Sequence, residues 1–219
     1  MKFSKQLAAL MCAILLGGGS SAVADDFWVG AKVGTLGIGV EGAWRPIPWL
    51  DLRLGANAYD YEESGSQAGI NYDATLSLST YYGTANLLFP ASPFRISVGA
   101  FSNGNEIPMV SDPGTSYDIG GVSYSAAEVG TLRSNTTFDS LSPYLGAGFD
   151  FSLFNKVGMT LDFGVLWQGD PQVTLTSDGT LANNPTFQSQ LEIERSELED
   201  DFDALKAYPV VSLGFNFRF

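Results

Sequence analysis

Four basic residues, Lys32, Arg53, Arg95 and Arg218, and four acidic ones, Glu41, Asp51, Asp150 and Asp162, stand on the polar positions of alternating segments. If these positions share one interior, the charges must pair, because an isolated buried charge is costly. The two chemistries open to such a set are a structural ion-pair network and a narrow charge-lined path for solutes. Acid–base catalysis has little to work with. The chain has no histidine, which removes His-based triads, imidazole bases and His metal ligands. Carboxylates are plentiful, yet none stands in a motif with a nucleophile and a base. No cofactor or metal site is expected, and a lipid-modifying enzyme is the third and weakest of the functions considered.

A second concentration of charge lies near the C-terminus: Glu192, Glu194, Glu197, Glu199, Asp200, Asp201 and Asp203. Asn184 and Pro185 fit the N-cap and first turn of a helix. Phe187, Leu191, Leu198, Phe202 and Leu205 recur at helical spacing, so the acids take the other face. Further acids, Glu62, Glu63, Glu106, Asp112, Asp118, Glu128, Asp170 and Asp178, are set against Arg133 and Arg195. Such a surface keeps loops soluble. It could also bridge to lipopolysaccharide phosphates through divalent cations, or act as a funnel that concentrates cations.

Those residues need elements to position them. Lys2 and Lys5 precede the apolar run from Leu7 to Leu16, and Ala22-Val23-Ala24 fits a small-x-small cleavage rule. Residues 1–24 read as a signal peptide, and 25–219 as one outer-membrane β-barrel domain. Cys12 lies in the leader, so the mature part would have no disulfide or thiol nucleophile. Two of the 11 bases, Lys2 and Lys5, precede the cut, so nine bases face 24 acids, a formal charge of −15. That excess excludes nucleic acid as a partner. No apolar run after the leader approaches the ~20 residues of a spanning helix, so a membrane protein of this composition must be a closed barrel.

Alternation supplies the strands. Val211, Leu213, Phe215, Phe217 and Phe219 alternate with Ser212, Gly214, Asn216 and Arg218. The same period runs through Leu50–Ala58, Phe94–Ala100, Leu145–Phe151 and Val157–Trp167. Leu76 and Leu78 begin a strand to Phe89 whose parity blurs after Tyr81, which suggests a bulge. Parity flips around Thr35-Leu36-Gly37, and a tight turn there gives eight strands: 27–35, 37–45, 49–61, 71–89, 94–103, 138–151, 157–176 and 206–219. An even count puts both termini on one side. The fold class is therefore all-β: an antiparallel up-and-down transmembrane barrel with a short acidic helix in its last external loop.

Connections sort by length. Arg45–Pro48, Pro90–Pro93 and Leu153–Lys156 are short; 62–70, 104–137 and 177–205 are longer and emerge at the other end. Ile119-Gly120-Gly121 in the middle loop suggests a small hairpin, with another turn at Asp112-Pro113-Gly114. Trp28, Trp44, Trp49, Phe89, Phe94, Phe151, Phe154 and Phe219 gather at the short-turn end as an aromatic girdle. Tyr59, Phe101, Phe138, Trp167 and Tyr208 would form a looser upper ring. Phe219 as the last residue looks like the terminal aromatic assembly signal of outer-membrane barrels.

Val29-Gly30-Ala31-Lys32-Val33-Gly34-Thr35 and Pro143-Tyr144-Leu145-Gly146-Ala147-Gly148-Phe149 open the first and sixth strands. Asp162-Phe163-Gly164-Val165, Gln168-Gly169-Asp170-Pro171-Gln172-Val173-Thr174-Leu175 and Tyr208-Pro209-Val210-Val211-Ser212-Leu213-Gly214 follow in order. In this order of motifs the chain resembles the CarO-type ornithine-uptake porins. It is similar to OmpW- and OmpA-type barrels in architecture alone. The resemblance implies passive uptake of small basic amino acids, but no binding residue of that family maps onto a position here.

The leading expectation is thus a narrow outer-membrane porin for small cationic solutes such as basic amino acids. The alternative is a non-conducting structural or adhesive barrel with acidic external loops. The partners expected are outer-membrane lipid, lipopolysaccharide, the barrel-assembly machinery and small cationic solutes.

Overall fold

The computed structural model describes residues 27–67, 70–111, 116–154 and 156–219. The expected leader and the Asp112-Pro113-Gly114 turn lie outside them. In chain order the strands are β1 (Phe27–Gly34), β2 (Gly37–Ile47), β3 (Leu50–Gln67), β4 (Ile70–Leu88), β5 (Phe94–Asn103), β6 (Glu106–Ser111), β7 (Ser116–Ile119), β8 (Val122–Ser125), β9 (Leu132–Thr137), β10 (Leu141–Ser152), β11 (Val157–Trp167), β12 (Gln172–Ser177) and β13 (Ala207–Arg218). Among the described residues two α-helices, α1 (Ala126–Val129) and α2 (Pro185–Asp201), and a 3-10 turn at Asp203–Lys206 complete the set.

Eight of the strands close into a barrel in the order β1-β2-β3-β4-β5-β10-β11-β13, every neighbour antiparallel. β13 closes on β1 from Trp28↔Arg218 to Gly34↔Ser212. A two-residue turn, Thr35-Leu36, joins β1 to β2, where Gly34 and Gly37 pair. Alternation decides the two faces. Leu54, Val98, Leu145, Val211 and Phe215 point outward and are exposed, while Asp51, Arg53, Arg95 and Thr160 point inward and are buried. An apolar belt of this extent suits lipid as its solvent.

Aromatic pairs thicken the belt at the short-turn end: Phe27 on Trp44 at 6.1 Å, Phe89 on Phe94 at 5.4 Å and Phe217 on Phe219 at 5.6 Å. Trp28 is not among them. It shares the parity of Lys32 and is buried inside the barrel, and Phe27 takes the outer position. Phe101 is likewise buried in the lumen, on the parity of Arg95 and Ser97, rather than in an upper ring.

Three expected strands change shape. β3 and β4 stay paired without a register break from Leu50↔Leu87 to Gln67↔Ile70, so residues 62–67, expected in a loop, continue the β3–β4 ladder beyond the barrel. Glu62, Glu63 and Ser64 are consecutive, polar and exposed, which hides the period. The same unbroken register removes the bulge expected after Tyr81. Parity blurs there because Tyr82 points inward among polar neighbours. The expected strand 157–176 breaks at Gln168–Pro171, where Gly169 takes φ +76; there an added Cβ would collide with the Asp139 side chain.

Beyond the break, β12 leaves the barrel and pairs with β9, which pairs with β6, which pairs with the upper part of β4. The 104–137 segment, expected as a loop, is therefore mostly sheet. β7 and β8 form a hairpin across Gly120 and Gly121, both at positive φ, as a two-residue hairpin turn of this hand needs. Tyr117, Ile119 and Val129 pack with Phe187 and Leu191 of α2 into a second core outside the barrel. Asn184 caps α2, its side-chain oxygen accepting from the Thr186 and Phe187 amides at 2.9 and 3.2 Å.

Candidate functional site in the barrel lumen

An eight-stranded barrel is just wide enough for its inward side chains to fill it. Here they do so in layers. In the deepest layer Asp51, fully buried on β3, accepts from Arg53 Nε at 2.9 Å and from the Trp28 indole at 3.3 Å, and faces Arg45 at 3.6 Å. The Arg53 guanidinium also lies over the Trp28 ring at 4.7 Å. Arg53 Nη2 then reaches across the lumen to Asp150 of β10 at 2.8 Å.

Asp150 bridges two arginines, because its other oxygen accepts from Arg95 Nε of β5 at 2.9 Å. Arg95 also donates to Ser97 at 2.6 Å, to Asn86 at 3.2 Å and to Asp162 of β11. Asp162 takes a further bond from Ser212 of β13 at 3.2 Å. One chain of contacts thus ties β3, β10, β5, β11 and β13 across the interior. Gly148 leaves the room for it: a Cβ there would stand 2.9 Å from the Arg95 guanidinium carbon.

Above this layer Lys32 Nζ stands 3.5 Å from Glu41 and 4.1 Å from the Tyr82 ring centre, while the Tyr82 hydroxyl donates to Glu41 at 2.7 Å. Next comes an apolar layer of Leu36, Tyr82, Phe101, Tyr144, Leu166 and Val210, with Tyr82 stacked on Phe101 at 4.8 Å. Leu36 enters it from the β1–β2 turn. That turn is fastened to β13: Thr35 Oγ1 donates to Pro209 O at 2.9 Å and the Tyr208 hydroxyl donates to Thr35 O at 2.7 Å. A polar belt closes the top, where Asn103 and Asn105 both donate to Gln168 at 3.1 and 2.9 Å. The space left among Lys32, Glu41, Arg53, Arg95 and Asp162 is a cavity of about 20 Å³. That is room for a water or so, far too little for an amino acid.

Seven of the eight charges singled out in the sequence are therefore brought together. Arg218 is not: at the end of β13 it is half-buried and makes no ion pair among the described residues. Arg45 is in the network instead. It, Trp28, Tyr82, Phe101 and Tyr144 were missed, although Arg45, Trp28, Phe101 and Tyr144 keep the parity of Glu41, Lys32, Arg95 and Asp150. Parity was the signal; reading aromatics as lipid-facing by type concealed it.

The acidic cluster is partly committed to structure. Glu194 accepts from the Gly120 amide at 3.0 Å and Glu199 from the Val173 amide at 3.1 Å, so α2 is tied to the β7–β8 hairpin and to β12. Arg195 pairs with Glu192 at 2.6 Å and with Glu199. Its hydrogen bonds hold the exposed Glu192 carboxyl below its ordinary pKa. Asp203 and Asp170 both hold Lys206, at 2.9 and 2.8 Å. Glu197, Asp200 and Asp201 make no ion pair among the described residues. Phe219 is half-exposed, its amide donating to Phe27 O at 3.3 Å. Among the described residues no three His, Cys, Asp or Glu converge to hold a metal ion.

A closed eight-stranded antiparallel barrel with an apolar belt, an aromatic end and a charged, filled interior is the fold of a small outer-membrane barrel. In fold the chain is similar to two solved barrels. It is similar to the crystal structure of Acinetobacter baumannii CarO2, with a TM-score of 0.61 and 25% sequence identity, over 88% of this chain and 98% of that one. It is also similar to Acinetobacter baumannii CarO, with a TM-score of 0.57 and 23% identity, over 88% and 97%. No protein-family model and no curated protein matches the chain.

Proposed function

We propose that this protein is an outer-membrane barrel with a closed lumen, which carries a folded acidic unit on its outer side. One observation carries the reading. The lumen is filled by paired charges and an apolar layer, and the spaces left among them are cavities of about 20 and 10 Å³, each of water size. The barrel is inserted through its terminal strand and Phe219 by the assembly machinery after removal of a leader. It sits among lipid and lipopolysaccharide, and its role is to stiffen the envelope or present the outer unit. Planar-bilayer recording of the refolded chain tests this: conductance should equal that of empty bilayers, and steady channel currents would overturn it.

A second reading, uptake of small cationic solutes such as basic amino acids, is favoured by a specific observation. The outer unit leaves Glu197, Asp200 and Asp201 without cationic partners among the described residues, a field that gathers cations at the mouth. In this reading the lumen must rearrange before a solute passes. Currents with a reversal potential of cation preference, lost when Glu197, Asp200 and Asp201 become amides, would support it over the first.

A further inference from the structure

Lys32 differs from the other lumen cations. Arg53 and Arg95 are held by short hydrogen bonds to fixed carboxylates, at 2.8 and 2.9 Å. Lys32 has one carboxylate, Glu41, at 3.5 Å, longer than the usual 2.7–2.9 Å of a charge-assisted hydrogen bond. Its second support is an aromatic face, with Nζ 4.1 Å from the centre of the Tyr82 ring. The Tyr82 hydroxyl, bonded to Glu41 at 2.7 Å, locks ring and carboxylate into one unit. A carboxylate set against an aromatic face is chemistry that recognises an ammonium ion.

Lys32 also occupies a particular place. Its side chain lines the cavity of about 20 Å³ shared with Glu41, Arg53 and Asp162. It lines equally a smaller one of about 10 Å³ under the β1–β2 turn, bounded by Leu36, Asn57 and Val211. Lys32 thus borders both spaces, together with Val210 and Ser212.

We infer that Glu41 and Tyr82 form a recognition site for a primary ammonium ion, and that the protein fills this site with its own Lys32. The inference deepens the cation-uptake reading, on which its biological use rests. Binding at the site is read without any current, so the two can fail separately. A solute bearing a terminal amine would occupy the site only where Lys32 withdraws.

The test is chemical rescue in the full refolded chain. Lys32→Ala deletes the three carbons and nitrogen that n-propylammonium supplies. The variant should unfold at lower urea than wild type, and n-propylammonium should restore the midpoint saturably. Propan-1-ol and tetramethylammonium at equal ionic strength should not, the first lacking charge and the second lacking N–H donors. Adding Glu41→Gln should weaken the rescue by about tenfold or more, since the charge-assisted partner is gone. Wild type should not respond to any of the three. Lys32→Met is the second variant, for a barrel that refolds poorly with alanine. It keeps the stem, and there ammonium ion itself is the probe, against sodium. Rescue that n-propylammonium and tetramethylammonium give equally, or no rescue in a folded variant, would reduce Lys32–Glu41 to a packing ion pair and overturn the inference. Currents through the wild-type barrel bear on uptake alone.

Discussion

Asp150 accepts from two arginines on two different strands, and this sharing decides what a single deletion costs. Arg95→Ala would leave both Asp150 and Asp162 short of a partner in a buried layer. Removing one member of a buried pair costs on the order of 3–5 kcal/mol, so the urea midpoint of the refolded barrel should fall clearly. Arg218→Ala, with no ion pair among the described residues, should leave it nearly unchanged. An Arg95 variant as stable as wild type would show that the lumen repacks without its charges.

In the outer unit, acid should act through Asp178. The hydrogen bond from Arg133 holds the Asp178 carboxyl below its ordinary pKa, helped by the Thr131 amide. A carboxylate with a lowered pKa contributes its stabilisation above its unfolded-state pKa and loses it as pH falls through the lowered value. The Thr131 amide resonance should therefore shift below the pH at which free aspartates titrate, about 3.9. A midpoint at or above that value would contradict the contact.

The strands with one lipid-facing and one lumen-facing side were legible, because period two is imposed by two different solvents. Where both faces meet water the period is lost, as along the upper part of β3 below Gly65. β6, β7, β8, β9 and β12 are only four to six residues long, too short for alternation to show, so β12 was joined to a barrel strand and the others were read as loop apart from the hairpin turn at Ile119-Gly120-Gly121. Helix α2 was legible from its cap and its Phe187 and Leu191 spacing, both of which the fold uses. Asn184→Ala should cost about 1 kcal/mol. The loss should appear as faster amide exchange in α2 and the hairpin it packs on, while the barrel keeps its unfolding midpoint. A lowered barrel midpoint would mean that the outer unit and the barrel unfold as one.

At the scale of the whole molecule, the even strand count and the short turns at one end predict a sidedness. A cysteine at Asn183, beside α2, should react with an impermeant thiol reagent on intact cells, and one at Ser92, in the β4–β5 turn, should not. The reverse pattern would invert the barrel. Closure itself was legible; the aromatic part of the lumen's filling was not, because side-chain type and parity disagree at Trp28, Phe101 and Tyr144 and only packing arbitrates between them.

β4 belongs to two sheets at once: below, it is a wall of the barrel beside β5, and above, it carries β6 and through it β9 and β12. A pull on the outer unit, from a bound surface or from flow past the cell, is therefore expected to load a barrel stave lengthwise, alongside the chain connections to β10, β11 and β13. The β3–β4 ladder, continuous from Leu50↔Leu87 to Gln67↔Ile70, takes that load in shear, with its hydrogen bonds strained together instead of being unzipped in turn. The outer unit is built as a handle on the barrel, so force is expected to deform α2 and the β7–β8 hairpin long before it reaches Asn86 and the arginines beneath.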